Sequence, residues 1–500
     1  MNDGSIGLLR QKLGEIADVN SAIALLQWDQ ETYMPPKGAN ARGQQLATLS
    51  ALSHRLLTAP ELGILLEQLR QRSTGLDPDD AILVSETQYD VKRSTKLPES
   101  FVHEFAEEQS KAFQVWVEAR AQSDFRKFQP NLERMVELLR RKADLLGYEG
   151  SPYNALLEEF ERGMTAEQLR PLFAELAEQQ SGLVKQITNA HRALDTNWLN
   201  QEWAPAAQWE LSLRVLREMG YDLEAGRQDK SVHPFTTSFD KYDVRITTRI
   251  SSKDLFSGLM GSIHEGGHAL YDQGFLDKDR RGTLASAPSL GVHESQSRMW
   301  ENLVGRSLPF WKRCLPALNE LFPSQFERVT AEAVYAAVNR VQPSLIRVEA
   351  DECTYNLHII LRFEIEVALI EGTLKVSEIP DAWNAKVKAY LGLDVPNDAQ
   401  GCLQDIHWSH GAMGYFPTYA LGNLYAAQLF EKILEEIPDL WSRVEAGDFA
   451  ALLAWLRRRV HVYGRRKTAN EIICEATGQP PSAAPFLRYL AKKYGALYSL

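Results

Sequence analysis

Apolar residues return every three to four positions over most of this chain, a rhythm that confines it largely to helices packed on helices. Leu132, Met135, Val136, Leu139, Ala143 and Leu146 form one such stripe. Glu133, Arg134, Glu137, Arg140, Arg141 and Asp144 take the opposite face, and Gly147 stands where a helix-ending glycine belongs. Similar stripes run through 5–26, 100–124, 165–193, 206–220, 330–372, 420–436 and 448–463. One segment departs from the rhythm. Val244, Ile246, Thr248 and Ile250 alternate with Arg245, Thr247 and Arg249, which is the period of a strand. Residues 233–239 are its expected hairpin partner, turning at Asp240-Lys241. The expected class is mainly α with a small β-sheet. No repeat and no long Gly/Ser linker divides the 500 residues.

Charge and cysteine content narrow the function. Lys+Arg is 55 and Asp+Glu is 66, a net charge of −11, which argues against nucleic acid or an anionic membrane as partner. The four cysteines form no CxxC pair, which fits a reducing compartment and excludes a cysteine zinc ribbon. The first twenty residues carry charges inside their apolar pattern, and no uninterrupted apolar run approaches a membrane span. A soluble cytoplasmic protein is expected.

The chemistry concentrates after the strand, at Ile263-His264-Glu265-Gly266-Gly267-His268-Ala269-Leu270. Leu255, Leu259, Ile263, Gly267 and Leu270 mark the buried side of a helix here. Histidines at i and i+4 share one face, so two imidazoles can reach one metal ion. Glu265 leans aside, placed to touch a water without ligating the metal. Gly266 and Gly267 each cost about 1 kcal/mol relative to alanine, which points to close approach by another backbone or a ligand. A third ligand is expected downstream. Glu294, 26 residues after His268, and its neighbour His293 both qualify, and spacing does not separate them. Asp272 is a candidate partner for an imidazole N–H. Seven of the 11 histidines fall between 233 and 410; His54, His103, His191 and His461 are read as surface or core residues.

With HEGGH followed by HESQSR, the chain resembles the carboxypeptidase Taq family of metallocarboxypeptidases. The resemblance extends to His233-Pro234-Phe235, to Asp243-Val244-Arg245-Ile246-Thr247, and to Ile346-Arg347-Val348-Glu349-Ala350-Asp351-Glu352. It also covers Gly401-Cys402-Leu403-Gln404-Asp405-Ile406-His407-Trp408 and the N-terminal Leu26-Gln27-Trp28-Asp29-Gln30-Glu31-Thr32-Tyr33-Met34-Pro35. It implies a single helical domain over 1–500 with a deep substrate groove, similar to neurolysin-like and angiotensin-converting enzymes. Residues up to about 125 would roof that groove, and about 230–420 would form the catalytic core. It further implies a homodimer, a zinc ion (cobalt serving in some members) and Glu294 as the third ligand beside His264 and His268.

The activity so implied is removal of C-terminal residues from peptides with broad specificity, Glu265 being the general base. A tetrahedral oxyanion needs a donor, for which His407 and Tyr419 are the candidates and Tyr415 and His410 the alternates, with a part in binding substrate. A free C-terminal carboxylate is best held by a guanidinium. Arg347 is favoured for it, and Arg245 is given a place near the groove floor, or else an ion pair with Asp243 or Asp351. The strand carrying Arg245 is a candidate for backbone pairing with substrate. Two other readings remain: an endo-acting zinc oligopeptidase, and a non-catalytic helical metal-binding protein.

Overall fold

The computed structural model describes residues 3–190, 192 and 194–500, so His191 lies outside the described residues. Helices dominate it, as the periodicity predicts. The stripe from Leu132 to Leu146 lies on helix Phe125–Leu146 with all six of its residues buried, and Gly147 ends it at φ +76°. The stripes at 5–26, 100–124 and 206–220 become helices Asp3–Thr32, Glu99–Gln122 and Pro205–Met219. The 330–372 stripe is not one helix. It divides into Ala331–Val338 and Tyr355–Glu371, with an irregular stretch between that contains Pro343. Proline disfavours helix in the residue before it and cannot donate its own hydrogen bond, so the break falls there. That break carries Arg347.

The sheet has three strands rather than two: β1 (Gly226–Lys230), β2 (Thr236–Asp240) and β3 (Asp243–Thr248), in the order β1-β3-β2. β2 and β3 form the expected antiparallel hairpin, with Thr236 opposite Ile246 and Thr237 opposite Arg245. β1 runs parallel to β3. Its sequence, Gly-Arg-Gln-Asp-Lys, has no apolar alternation, which is why periodicity missed it. Buried Gln228 of β1 is satisfied by the Ser212 hydroxyl, a contact only tertiary structure supplies. Because β3 is flanked on both sides, it has no free edge, and the expected pairing of this strand with a peptide backbone is ruled out.

One large apolar core runs from Ala112 to Tyr498 and contains the fully buried Trp203, Trp300, Trp311, Trp383 and Trp455. The N-terminal helices build a smaller core of their own from Ile6, Leu9, Leu13, Leu62, Leu66 and Leu83, joined by Leu284. Between the two lies a cavity of about 750 Å³, bounded by Ala17, Leu57, Tyr89 and Arg93 on one side and by Phe239, Asp272 and His293 on the other. Among the described residues, no helix is long and apolar enough to cross a membrane.

Candidate metal centre

The HExxH motif lies on helix Phe256–Asp272, which packs against β3, helix Pro205–Met219 and helix Leu290–Arg298. Its apolar side is buried as the sequence indicates, with Leu255, Leu259, Ile263 and Leu270 at most 2% exposed. Both glycines are there for close approach. A methyl group on Gly267 would stand 2.7 Å from the Ser297 Cα and 2.8 Å from the Gln296 carbonyl oxygen, and one on Gly266 would meet the Leu216 side chain at 2.6 Å. Glycine at 267 therefore lets the two helices touch backbone to backbone, which brings Glu294 within reach of the histidines.

One ligand atom from each of His264, His268 and Glu294 lies within 4.8 Å of the others. Glu294 Oε2 is 3.6 Å from His264 Nε2 and 3.4 Å from His268 Nε2. Two imidazole nitrogens and a carboxylate oxygen are a ligand set suited to Zn²⁺. Glu294 and His264 are held from behind, whereas the buried His268 Nδ1 has no hydrogen-bond partner. Glu294 Oε1 accepts from Arg298 Nε at 2.6 Å, and Glu301 Oε2 lies 2.9 Å from His264 Nδ1. Burial alone would raise the Glu294 pKa, but the Arg298 and His264 charges hold it well below the usual carboxylate range. Burial and the neighbouring His293 push His268 down to about 3, leaving a neutral imidazole, the form that ligates. The residues present therefore fit a divalent cation.

His293, the rival to Glu294, is not part of this trio. Its ring stacks on His268 at 4.2 Å, and Asp272 Oδ1 lies 3.2 Å from its Nε2. Asp272 thus partners an imidazole, although not one of the HExxH pair. Glu265 is buried, and its Oε2 lies 2.7 Å from the Thr236 hydroxyl on β2. Burial raises its pKa, as suits a carboxylate that takes up a proton.

A second group of side chains forms the wall next to Glu294. The His407 ring is 5.5 Å from Tyr415 and 6.3 Å from Tyr419, and those two tyrosines are 5.2 Å apart. Arg347 lies over Tyr419 at 5.2 Å and donates to Tyr355 Oη at 3.1 Å. Arg298, the partner of Glu294, lies over the same Tyr355 ring at 4.5 Å. His410 stands apart from this group, exposed and stacked on Phe113 at 5.2 Å, because Gln109 pins its carbonyl to helix Glu99–Gln122. Arg245 is paired with Asp243 through Nε and Nη2 at 2.8 and 2.9 Å and lies between Trp28 and Phe239. Asp351 instead accepts backbone N–H groups from Gln342, Cys353 and Thr354.

The sequence model of the Carboxypeptidase Taq (M32) metallopeptidase family matches residues 8–494. The chain belongs to the carboxypeptidase Taq family. Thermostable carboxypeptidase 1 of Thermus thermophilus is 45% identical over 97% of each chain. Carboxypeptidase 1 of Bacillus subtilis is 40% identical over 98% of this chain and 97% of its own. In structure, the M32 carboxypeptidase of Deinococcus radiodurans superposes with a TM-score of 0.98 at 40% identity, covering 99% of this chain and 100% of its own. This member of the carboxypeptidase Taq family is accordingly a metallocarboxypeptidase acting on peptides.

Sequence reasoning missed three residues that pack around this candidate metal centre. Glu301 stands seven residues after Glu294, two turns on, so a helical wheel would have placed both on one face. It lies in a π-helical turn, Met299–Gly305, a widening that often accompanies functional sites. Thr236 directly follows the His-Pro-Phe run, but only the β2 fold-back brings it to Glu265. Tyr355 carried no sequence signal at all. Two buried carboxylates brace the surrounding loops. Glu161 accepts from Gly291 N at the start of helix Leu290–Arg298, and Glu366 accepts from Trp408 Nε1, Gly414 N and Tyr153 Oη. His461 is a core histidine, its Nε2 3.0 Å from Gln296 Oε1, while His54 and His103 are exposed.

Proposed function

We propose that His264, His268 and Glu294 hold a Zn²⁺ ion and that the enzyme hydrolyses the last peptide bond of unblocked peptides. The same ligand set would accept Co²⁺. When bound there, zinc would supply Lewis acidity at the scissile carbonyl and make a water more acidic. Glu265, with Thr236 fixing its carboxylate, takes the proton of the attacking water and passes it to the leaving amine nitrogen. Tyr419 and His407 donate to the oxygen that gains charge as the carbonyl becomes tetrahedral, with Tyr415 beside them lining the substrate position. Glu301 fixes the ring of His264.

The observation that carries the exopeptidase reading is the link from the metal trio to Arg347. Glu294 pairs with Arg298, Arg298 lies over Tyr355, and Tyr355 accepts from Arg347. A guanidinium tied to the metal trio through these contacts suits a C-terminal carboxylate. Arg245 ties the N-terminal helix to the sheet through Trp28 and shapes the groove wall. The cavity between the N-terminal helices and the catalytic elements, about 750 Å³, gives room for the rest of an extended peptide under the roof those helices form. Charges of both signs line it, which suits broad rather than charge-selective specificity. From the family resemblance, the enzyme works as a cytoplasmic homodimer.

Paired peptides that differ only in a C-terminal acid or amide test this reading. A carboxypeptidase loses nearly all activity on the amide. Equal cleavage of both would favour the endo-acting alternative.

A further inference from the structure

Behind Arg347 lies a buried charged unit. Arg347 donates through Nε and Nη2 to Asp405 Oδ1, at 3.0 and 2.8 Å. Arg362 occupies the other oxygen, with Nε and Nη2 at 2.7 and 2.6 Å from Asp405 Oδ2. The Arg362 side chain is 0% exposed, lies over Trp383 at 4.5 Å, and gives Nη1 to the His358 carbonyl at 2.6 Å. Among the described residues, Asp405 is the one carboxylate in hydrogen-bond contact with either guanidinium. Glu366, an acid that also feels the Arg362 charge, has its oxygens taken by Tyr153, Trp408 and Gly414, and burial pushes it up to about 7, so it is only partly ionised at neutral pH. Burial pushes His358 and His407, beside the unit, down to about 3 and 4, so neither adds charge at neutral pH.

Two counts follow. A guanidinium has five N–H groups. Arg347 spends two on Asp405 and one on Tyr355, which leaves two for a ligand. In charge, Arg347 with Asp405 alone is neutral, and the Asp405 carboxylate would repel an incoming anion. Arg362 restores one positive charge. A buried arginine serving only to fill space would be better replaced by an apolar side chain of the same size.

We propose that Arg362, which no substrate atom reaches, supplies the surplus positive charge that lets Arg347 hold a free C-terminal carboxylate while Asp405 keeps it oriented. Arg362 is a positioning residue in this scheme, and the scheme rests on the reading of Arg347 given above.

Steady-state kinetics of the metal-loaded enzyme on one peptide, as free acid and as amide, test it. Arg362→Gln cancels the surplus and should raise KM for the acid about tenfold or more, with kcat within about twofold. Adding Asp405→Asn restores the net charge and should recover most of that KM, and Arg362→Lys should rescue it too. A merely structural role predicts that the double variant is worse than the single. That result, or an unchanged KM in Arg362→Gln, overturns the proposal. Should Arg362→Gln fail to fold by circular dichroism, the double variant decides: retained preference for acid over amide supports the proposal, and lost preference overturns it. Arg347→Gln separates the two readings. If it keeps the acid preference, the assignment of Arg347 itself fails. If it loses that preference while Arg362→Gln does not, only the Arg362 proposal falls.

Discussion

Gly422 makes room for Glu294. A methyl group at Gly422 would stand 2.5 Å from Glu294 Cγ and 2.7 Å from its Cβ. Gly422 belongs to helix Phe416–Glu436, which crosses helix Leu290–Arg298 closely enough that only a hydrogen fits between them. Contacts at that distance lie well inside van der Waals separation, so any side chain must push Glu294 or its helix aside.

Gly422→Ala should therefore displace Glu294 from the two histidines. The expected result is a folded protein with a lowered metal content by elemental analysis and at least a tenfold loss of activity. Overpacking of this kind typically costs about 1–3 kcal/mol in stability. Full metal occupancy with native activity would mean that Glu294 is not the third ligand.

Glu301→Gln removes the charge facing His264 Nδ1 and leaves the shape of the site unchanged. Loss of such a partner typically weakens metal binding about 10–100-fold. Competition with a chelator of known affinity would measure this. Part of the effect comes from Arg298 and Arg306, which lose a shared carboxylate.

Glu265→Gln tests the base independently of the metal. The amide keeps the hydrogen bond to Thr236 but takes up no proton. Turnover should fall about 10²–10⁴-fold while metal content stays unchanged. Activity near that of the native enzyme would remove Glu265 from its assigned role.

Glu161 offers a pH prediction away from the metal trio. Burial pushes its pKa up to about 7 from 4.5, against the lowering effect of Tyr425, Ser289 and the Gly291 N–H. A carboxyl whose folded pKa is raised favours the folded state fully below its unfolded pKa and loses that contribution as pH rises through the folded value. The contribution here is on the order of 3 kcal/mol. Denaturant unfolding of native protein and Glu161→Gln from pH 4 to 8 should show the native protein losing stability relative to the variant as pH rises. A difference that stays flat with pH contradicts the raised pKa.

Much of the molecule was legible in the order of its residues. The helices announce themselves through stripes such as Leu132 to Leu146, because a buried face must repeat with the helix pitch. The hairpin of β2 and β3 shows in alternating Val244, Ile246 and Thr248. The histidine pair of the motif is legible because its partners are one turn apart on one helix, where spacing alone fixes geometry. His410 shows where such reasoning stops. It is three residues from His407 and looks equivalent in sequence, yet Phe113 and Gln109 draw it to the outside.

Sequence alone thus determined what is local: the helical class, the hairpin, and two imidazoles and a carboxylate held on one helix. Tertiary structure decided what depends on chain segments meeting. It set Glu294, rather than its neighbour His293, against the two histidines, brought Glu301 and Thr236 behind His264 and Glu265, and set β1 beside β3. It also joined Arg347, Asp405 and Arg362 into one charged unit across more than fifty residues of chain. Periodicity reports only which face of an element is buried. Which partner waits there is fixed by packing, and at this site by glycines 267 and 422, where two helices approach to the distance of a hydrogen atom.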